Sequence, residues 1–342
     1  MRGRPLNLAV LSLACFAPLA RAASARAASG DSKNGYSAWV VPWDTVDAAA
    51  DGCFEELNPF AFALSSAPAL TLASPELLSD TARVRRKGVL LVPVVVNDMI
   101  VDGKATELKS ERALTVLLTD PARAARHVEE LAAAAREFDG LEIDYERIPP
   151  GLWSAYGDFI ASLGAALRKN GKRLYIDVEP KLLRNKDWAK IASAVDRIKV
   201  MAYYERGGAA ARPAAGNSTE WVVATARQAL KLVPPEKLVV ALSLAGTDWA
   251  ADSPSSWTAK RLNYGQVQDL LSKSRPVVAR DAFSAPSFRA VRDGKEHAVW
   301  FEDEKSLAEK ISGLHGIGVK NIAFWYWGRK HPDAAALDLC RP

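Results

Sequence analysis

Eight short β-rich runs, separated by helical patterns or longer connections, leave few folds open to this chain. They are Ser37–Val41, Pro59–Leu64, Val89–Val96, Gly140–Tyr145, Arg173–Val178, Ile198–Tyr203, Leu238–Leu244 and Asn321–Trp325. Several are apolar almost throughout, the pattern of parallel strands covered on both faces. Asp120-Pro121 supplies a helix cap with proline at the first helical position, ahead of Val128, Leu131 and Ala135 on one side. Trp153, Tyr156, Ile160, Leu163 and Leu167 recur at spacings of 3, 4, 3 and 4, one face of a helix packed on a core. Eight strands alternating with helices over about 300 residues predict an α/β fold, a (β/α)8 TIM barrel, with a doubly wound sheet as the alternative.

The seventh unit is too long for a simple connection. After Leu244 come a helix near Tyr264–Leu271 and two alternating runs, Ser287–Arg292 and Glu296–Phe301, around Asp293-Gly294. This predicts a small α+β insertion, about residues 249–303, between strand 7 and helix 7. Its hairpin is expected to wall one side of a cleft above the barrel mouth. Residues 36–342 otherwise read as one barrel domain, without an internal repeat.

Residues 1–22 read as a secretory signal: Arg2 and Arg4, an apolar run from Leu6 to Leu19, and a small-x-small site at Ala20-Arg21-Ala22. A membrane anchor is the other reading of this run. Ser12-Leu13-Ala14-Cys15 faintly suggests lipid attachment, but the apolar run continues past Cys15. Residues 23–35 look like a loose leader remnant. Nothing after residue 30 is long and apolar enough to span a bilayer. The expectation is an exported protein, either secreted or periplasmic at the cell envelope. Export leaves Cys53 and Cys340 in an oxidising compartment. A closed barrel brings its two ends together, so these two can pair; two buried free thiols are the other reading. The formal charge is +5, from 45 basic and 40 acidic residues, and without Arg2, Arg4 and Arg21 of the leader 42 basic residues remain. A surface so near neutrality offers no phosphate footprint, so nucleic acid is not expected as a partner. Nothing in the sequence demands more than a monomer.

Chemistry concentrates in Phe138-Asp139-Gly140-Leu141-Glu142-Ile143-Asp144-Tyr145-Glu146. Alternate strand residues share a face, so Glu142, Asp144 and Glu146 point one way and Leu141, Ile143 and Tyr145 the other. The apolar set must meet the helices, which turns the carboxylates toward the barrel axis, rising to its carboxyl-terminal mouth. Like charges in a confined interior cost several kcal/mol unless something protonates, pairs with or coordinates them. A structural accident and a metal site are two readings. Yet His127, His297, His315 and His331 have no ligand spacing, and neither a metal nor any other cofactor is expected. Acid/base catalysis by coupled carboxyls is the reading preferred.

The same stretch resembles the signature of glycoside hydrolase family 18, the chitinase-like barrels, Asp-Gly-x-Asp-x-Asp-x-Glu at the end of the fourth strand. Lys199-Val200-Met201-Ala202-Tyr203 is similar to the sixth-strand Met-x-Tyr motif, and Phe324-Trp325-Tyr326-Trp327-Gly328 to the eighth-strand tryptophan segment. Leu244-Ala245-Gly246-Thr247-Asp248-Trp249 and Trp300-Phe301-Glu302-Asp303 resemble the branch containing bacterial spore-germination and cortex-lytic hydrolases. The resemblance implies substrate-assisted retention, an exception to the usual catalytic carboxylate pair. Glu146 would protonate the glycosidic oxygen, and the 2-acetamido carbonyl of the sugar would attack its own anomeric carbon. Asp144 would stabilise the oxazolinium ion, and its charge would help raise the proton affinity of Glu146. Tyr203 would hydrogen-bond the acetamido group, Met201 would line the site, and Trp325 would form the floor under the sugar. Trp43 and Trp249, near strand ends, are stacking candidates, and Glu179, ending the fifth strand, is a further candidate.

Two positions depart from the pattern. Glu142 stands where the family has Asp, and Tyr204 follows the sixth-strand tyrosine where Asp is common. The implied partner is a β-1,4-linked N-acetylglucosamine polysaccharide, peptidoglycan ahead of chitin. A lectin-like protein with little turnover is the alternative, supported by Tyr204. A conventional retaining enzyme would need Glu179 as its second carboxylate.

Overall fold

A computed structural model describes residues 35–46, 53–84, 88–184, 188–203, 213–214, 216–253, 256–280 and 285–340. The leader readings for 1–22 and 23–34, with Cys15, and the site candidate Tyr204 lie outside the described residues. Eight strands close into a barrel: β1 Gly35–Val40, β2 Glu56–Ser65, β3 Val94–Val101, β4 Gly140–Asp144, β5 Arg173–Val178, β6 Arg197–Met201, β7 Leu238–Ser243 and β8 Asn321–Trp325. Each pairs in parallel with the next, and β8 returns to β1 with Gly35 opposite Asn321, so the barrel core has no free edge. Helices Pro75–Val84, Pro121–Ala134, Trp153–Lys169, Trp188–Ala194, Thr219–Ala229 and Glu304–His315 lie in the crossovers.

Local chemistry accounts for these elements. Asp120 caps Pro121–Ala134, accepting from the N–H groups of Ala122 and Arg123, with Pro121 in the first turn. Trp153, Tyr156, Ile160, Leu163 and Leu167 are all buried on one face of Trp153–Lys169. Gly140 must be small, because a Cβ there would stand 2.5 Å from the carbonyl oxygen of Arg173.

Two expectations need correction. The run Val89–Val96 is not one strand: Leu90–Leu91 and β3 are separate pieces. Pro93, between them, has no N–H for the ladder. β3 then runs past Val96 to Val101 and turns through Asp102-Gly103, both with positive φ, into Lys104–Glu107. The insertion also holds more sheet than the single hairpin expected. It begins at Gly246 and holds a five-stranded antiparallel sheet in the spatial order Ser256–Leu262, Gly246–Ser253, Lys295–Trp300, Pro286–Arg292, Ala279–Arg280. The hairpin around Asp293-Gly294 is present, with Arg292 opposite Lys295. Leu262, Val267, Phe288, Val299 and Phe301 give the insertion a small core of its own.

Cys53 and Cys340 form a disulfide across a sequence separation of 287, tying the two ends of the described barrel together. Such a bond stabilises chiefly by restricting the unfolded chain. Among the described residues, no helix is long and apolar enough to cross a membrane.

Candidate active site

The outward residues of β4, Leu141 and Ile143, and Tyr145 just beyond it are buried in the layer between sheet and helices. His127 Nε2 lies 2.7 Å from the Tyr145 hydroxyl and fixes that face from behind. The inward set therefore faces the barrel axis, as the alternation requires. Glu142, at the bottom, is fully buried. Its Oε1 accepts from Trp39 Nε1 at 2.5 Å, and its Oε2 lies 2.7 Å from Lys199 Nζ. Lys199 projects inward from β6, also reaches Glu56 Oε1 at 3.0 Å and donates to Asn58 Oδ1 at 2.9 Å. Its ammonium lies over the Trp39 and Tyr175 rings. The sequence reading left the compensation of the stripe open; Lys199 supplies it at Glu142.

Above this layer stand Asp144 and, from β5, Asp177. Both are buried, and both line a cavity of about 540 Å³ at the carboxyl-terminal ends of the strands. Asp144 Oδ1 has no hydrogen-bond partner among the described residues, whereas Asp177 meets the Glu142 carboxyl. Burial pushes the Asp144 carboxyl well above the ordinary aspartate range, and the adjacent Glu146 charge adds to it. Burial likewise raises Asp177, with Glu142 and Asp144 next in effect. Burial also raises Glu142 despite the opposing pull of Lys199. Lys199 itself keeps its proton more firmly than usual, because Glu142 and Glu56 together outweigh its own desolvation.

Glu146 closes the row at the mouth. Asn97 clamps its backbone from β3: Asn97 Nδ2 donates to the Glu146 carbonyl, and the Glu146 N–H donates to Asn97 Oδ1, both at 3.0 Å. The Glu146 carboxylate contacts the Lys109 ammonium. The two carboxyls therefore stand in different surroundings, with Asp144 buried and raised by that burial. Glu146 opens to the cavity against a cation.

The other candidates divide. Tyr203, Met201, Trp325, Trp43 and Glu179 all line the same cavity as Asp144 and Glu146. Trp325 packs edge-on against Trp39 and Phe60, and exposed Trp43 stands edge-on to Tyr326 at the rim. Glu179 pairs with Lys181 Nζ at 2.8 Å and accepts weakly from the N–H of Arg147 at 3.4 Å. Glu142 does not reach the cavity wall, since Lys199 and Trp39 cover it. Trp249 is not there either: it lies buried in the insertion sheet, opposite Ala259 and Ala298. No insertion residue is among the described lining residues, so the expected wall is not formed by that hairpin. The chain instead raises the β3 hairpin beside the mouth, followed by Leu108 and Lys109.

Sequence reasoning passed over Asp177, Lys199, Asn97 and Lys109. The first two were legible, as charged residues at inward positions of otherwise apolar strands. Asp102-Gly103 between alternating residues signalled the hairpin, but nothing local announced where Lys109 would reach.

The raised carboxyls make a stability prediction. For Asp144 the folded chain binds the proton more tightly than the unfolded one. That contribution is fully present below the ordinary value of 3.8 and is lost as pH rises to and through the raised value. Asp144→Asn, which needs no proton, should therefore have a higher urea midpoint than wild type at pH 7. The advantage should vanish below about pH 4. Equal midpoints at pH 7 would contradict the buried-carboxyl assignment.

A sequence model of glycosyl hydrolases family 18 matches residues 106–329, well over half of the 342-residue chain. The uncharacterized glycosylase YvbX of Bacillus subtilis is 27% identical over 227 residues, 60% of this chain and 65% of the relative. The chain thus spans less than two thirds of the length of that curated relative. Among solved structures, the Bacillus cereus spore cortex-lytic enzyme SleL superposes with a TM-score of 0.77 at 22% identity, covering 90% of this chain and 75% of the other. A chitinase from Chromobacterium violaceum gives 0.74 at 19% identity, covering 90% and 98%. These two are likenesses of fold, whereas the family model covers the acidic strand, the Met-x-Tyr segment and the eighth-strand tryptophan together. The chain belongs to glycosyl hydrolases family 18.

Proposed function

We propose that this protein is a glycosidase that cleaves β-1,4-linked N-acetylglucosamine-containing polysaccharide, peptidoglycan ahead of chitin, with residues 36–342 as one catalytic barrel. The observation that carries the reading is the convergence of Asp144, Glu146, Tyr203, Met201 and Trp325 on one cavity at the strand ends. In the proposed reaction Glu146, once protonated, gives its proton to the glycosidic oxygen as the bond to the anomeric carbon breaks. The acetamido carbonyl oxygen attacks that carbon and closes an oxazolinium ring. Water then attacks the anomeric carbon and opens the ring, giving one of its own protons to Glu146. Asp144, beside Glu146, is placed to accept from the acetamido N–H as the ring forms. Tyr203 holds the acetamido group, and Trp325 supplies an apolar floor for the sugar. Asp144 Oδ1, buried and without a hydrogen-bond partner among the described residues, is open to such a ligand.

An oxidising compartment, hence export to the envelope or beyond, fits the Cys53–Cys340 bond. The second reading, a lectin-like protein, draws support from the contact of Lys109 with Glu146, which occupies the carboxylate that catalysis would need. Hydrolysis of a fluorogenic chitooligosaccharide and of purified peptidoglycan separates the two. Turnover blocked by a thiazoline analogue of the oxazolinium ion is the expected result. Sugar binding without turnover would favour the lectin, and turnover indifferent to the thiazoline would direct attention to Glu179 as nucleophile.

A further inference from the structure

The cavity carries two lysines that a neutral glycan would not use. Lys109 follows the hairpin of β3, and Lys181 follows β5, so they arise on the two flanks of β4, the strand that leads to Asp144 and Glu146. Each contacts an acidic group of the site: Lys109 touches Glu146, and Lys181 lies 2.8 Å from Glu179. Lys109 is set firmly for a loop residue. Its backbone occupies the left-handed region at φ 51°, uncommon for a side chain of this size. Its N–H donates to Asp98 Oδ1 at 2.7 Å. Exposure of about two-fifths of its side chain leaves the ammonium open to the cavity.

This arrangement conflicts with catalysis unless it changes. The carboxylate oxygen that contacts the ammonium is not free to meet the glycosidic oxygen, as the proposed reaction requires of Glu146. Lys109 must therefore release Glu146 as substrate binds. A neutral polymer brings the displaced ammonium no new charge and leaves it only the carboxyls already near it, Asp98 and Asp144. A polymer bearing a carboxylate beside the cleaved sugar offers an ion pair of the kind just lost, in a cavity that excludes part of the solvent.

We propose that Lys109 determines substrate specificity by exchanging its ion pair with Glu146 for one with a carboxylate on the glycan. The protein then favours strands in which N-acetylglucosamine alternates with a carboxylate-bearing sugar. Lys181 adds a second cation on the opposite flank of β4. The proposal rests on the glycosidase reading above and narrows its substrate to the acidic member of that class.

The test compares wild type, Lys109→Met and Lys109→Arg on three probes: peptide-free peptidoglycan glycan strands with free lactyl carboxylates, the same strands methyl-esterified, and chitohexaose. Wild type should show a kcat/KM about tenfold higher on the free acid than on the ester, equal to ~1.4 kcal/mol. The preference should shrink as salt rises. Lys109→Met should reduce the ratio to within about twofold, and Lys109→Arg should restore it, which a merely structural lysine would not require. An unchanged ratio in Lys109→Met would overturn the proposal, as would equal losses on acid and ester, or a wild type without preference. Absence of turnover by wild type on all three probes would remove the glycosidase reading and the exchange with it. That outcome is distinct from turnover without preference.

Discussion

Glu146→Gln is expected to lower kcat on peptidoglycan and on chitooligosaccharide by roughly 10²–10⁴-fold, the range for loss of a general acid/base. Glutamine keeps the size and most of the shape of the side chain but has no proton to give the glycosidic oxygen. The Asn97 clamp acts on the backbone of residue 146 and survives the substitution. The lost contact with Lys109 is partly open to solvent, where such pairs contribute about 0–1 kcal/mol, so the folded state should be almost untouched. A large kinetic loss with an unchanged urea midpoint is the signature to look for. Activity within tenfold of wild type would mean that another group protonates the leaving oxygen, and Asp177 and Glu179 would be next to substitute.

Lys199→Met should act in the opposite manner, on stability first. Lys199 is fully buried and meets Glu142, Glu56 and Asn58. Methionine fills much of the same volume, so little of the effect is a cavity. What remains is two carboxylates in the barrel floor without their cation, and breaking a buried pair from one side costs about 3–5 kcal/mol. Urea unfolding measures this directly. Adding Glu142→Gln and Glu56→Gln to Lys199→Met should recover most of the loss, because no buried charge is then left uncompensated. A single-variant loss below about 1 kcal/mol would show that the floor is not held by this ion pair.

Much of the architecture was readable along the chain. Apart from β3, the strands stand within a few residues of where the β-rich runs predict them, because alternation and apolar continuity are properties of neighbouring residues. The fourth-strand stripe was readable for the same reason: once Leu141, Ile143 and Tyr145 need apolar cover, Glu142, Asp144 and Glu146 have only the interior left. The misreadings share an origin as well. Trp249 looked like a stacking residue because it follows a barrel strand. Yet the chain enters a hairpin at Gly246, and period-two alternation turns that indole into the insertion. Glu142 looked like a substrate ligand because it shares the motif of Asp144 and Glu146. Its place on the strand is one layer lower, where Lys199 and Trp39 reach it first.

Sequence alone determined the barrel, the inward face of β4 and the position of Asp144 and Glu146 at its upper end. These follow from spacing within single strands. Tertiary structure decided which charges meet. Glu56 on β2 and Lys199 on β6 stand four strands apart in an eight-strand ring, and their 3.0 Å contact exists only because that ring closes. Lys109 reaches Glu146 only because β3 overshoots the barrel and its hairpin brings the following residues to the mouth. Periodicity fixes the direction of a side chain, but an ion pair depends on distance through space, and distances between remote strands are set by barrel closure.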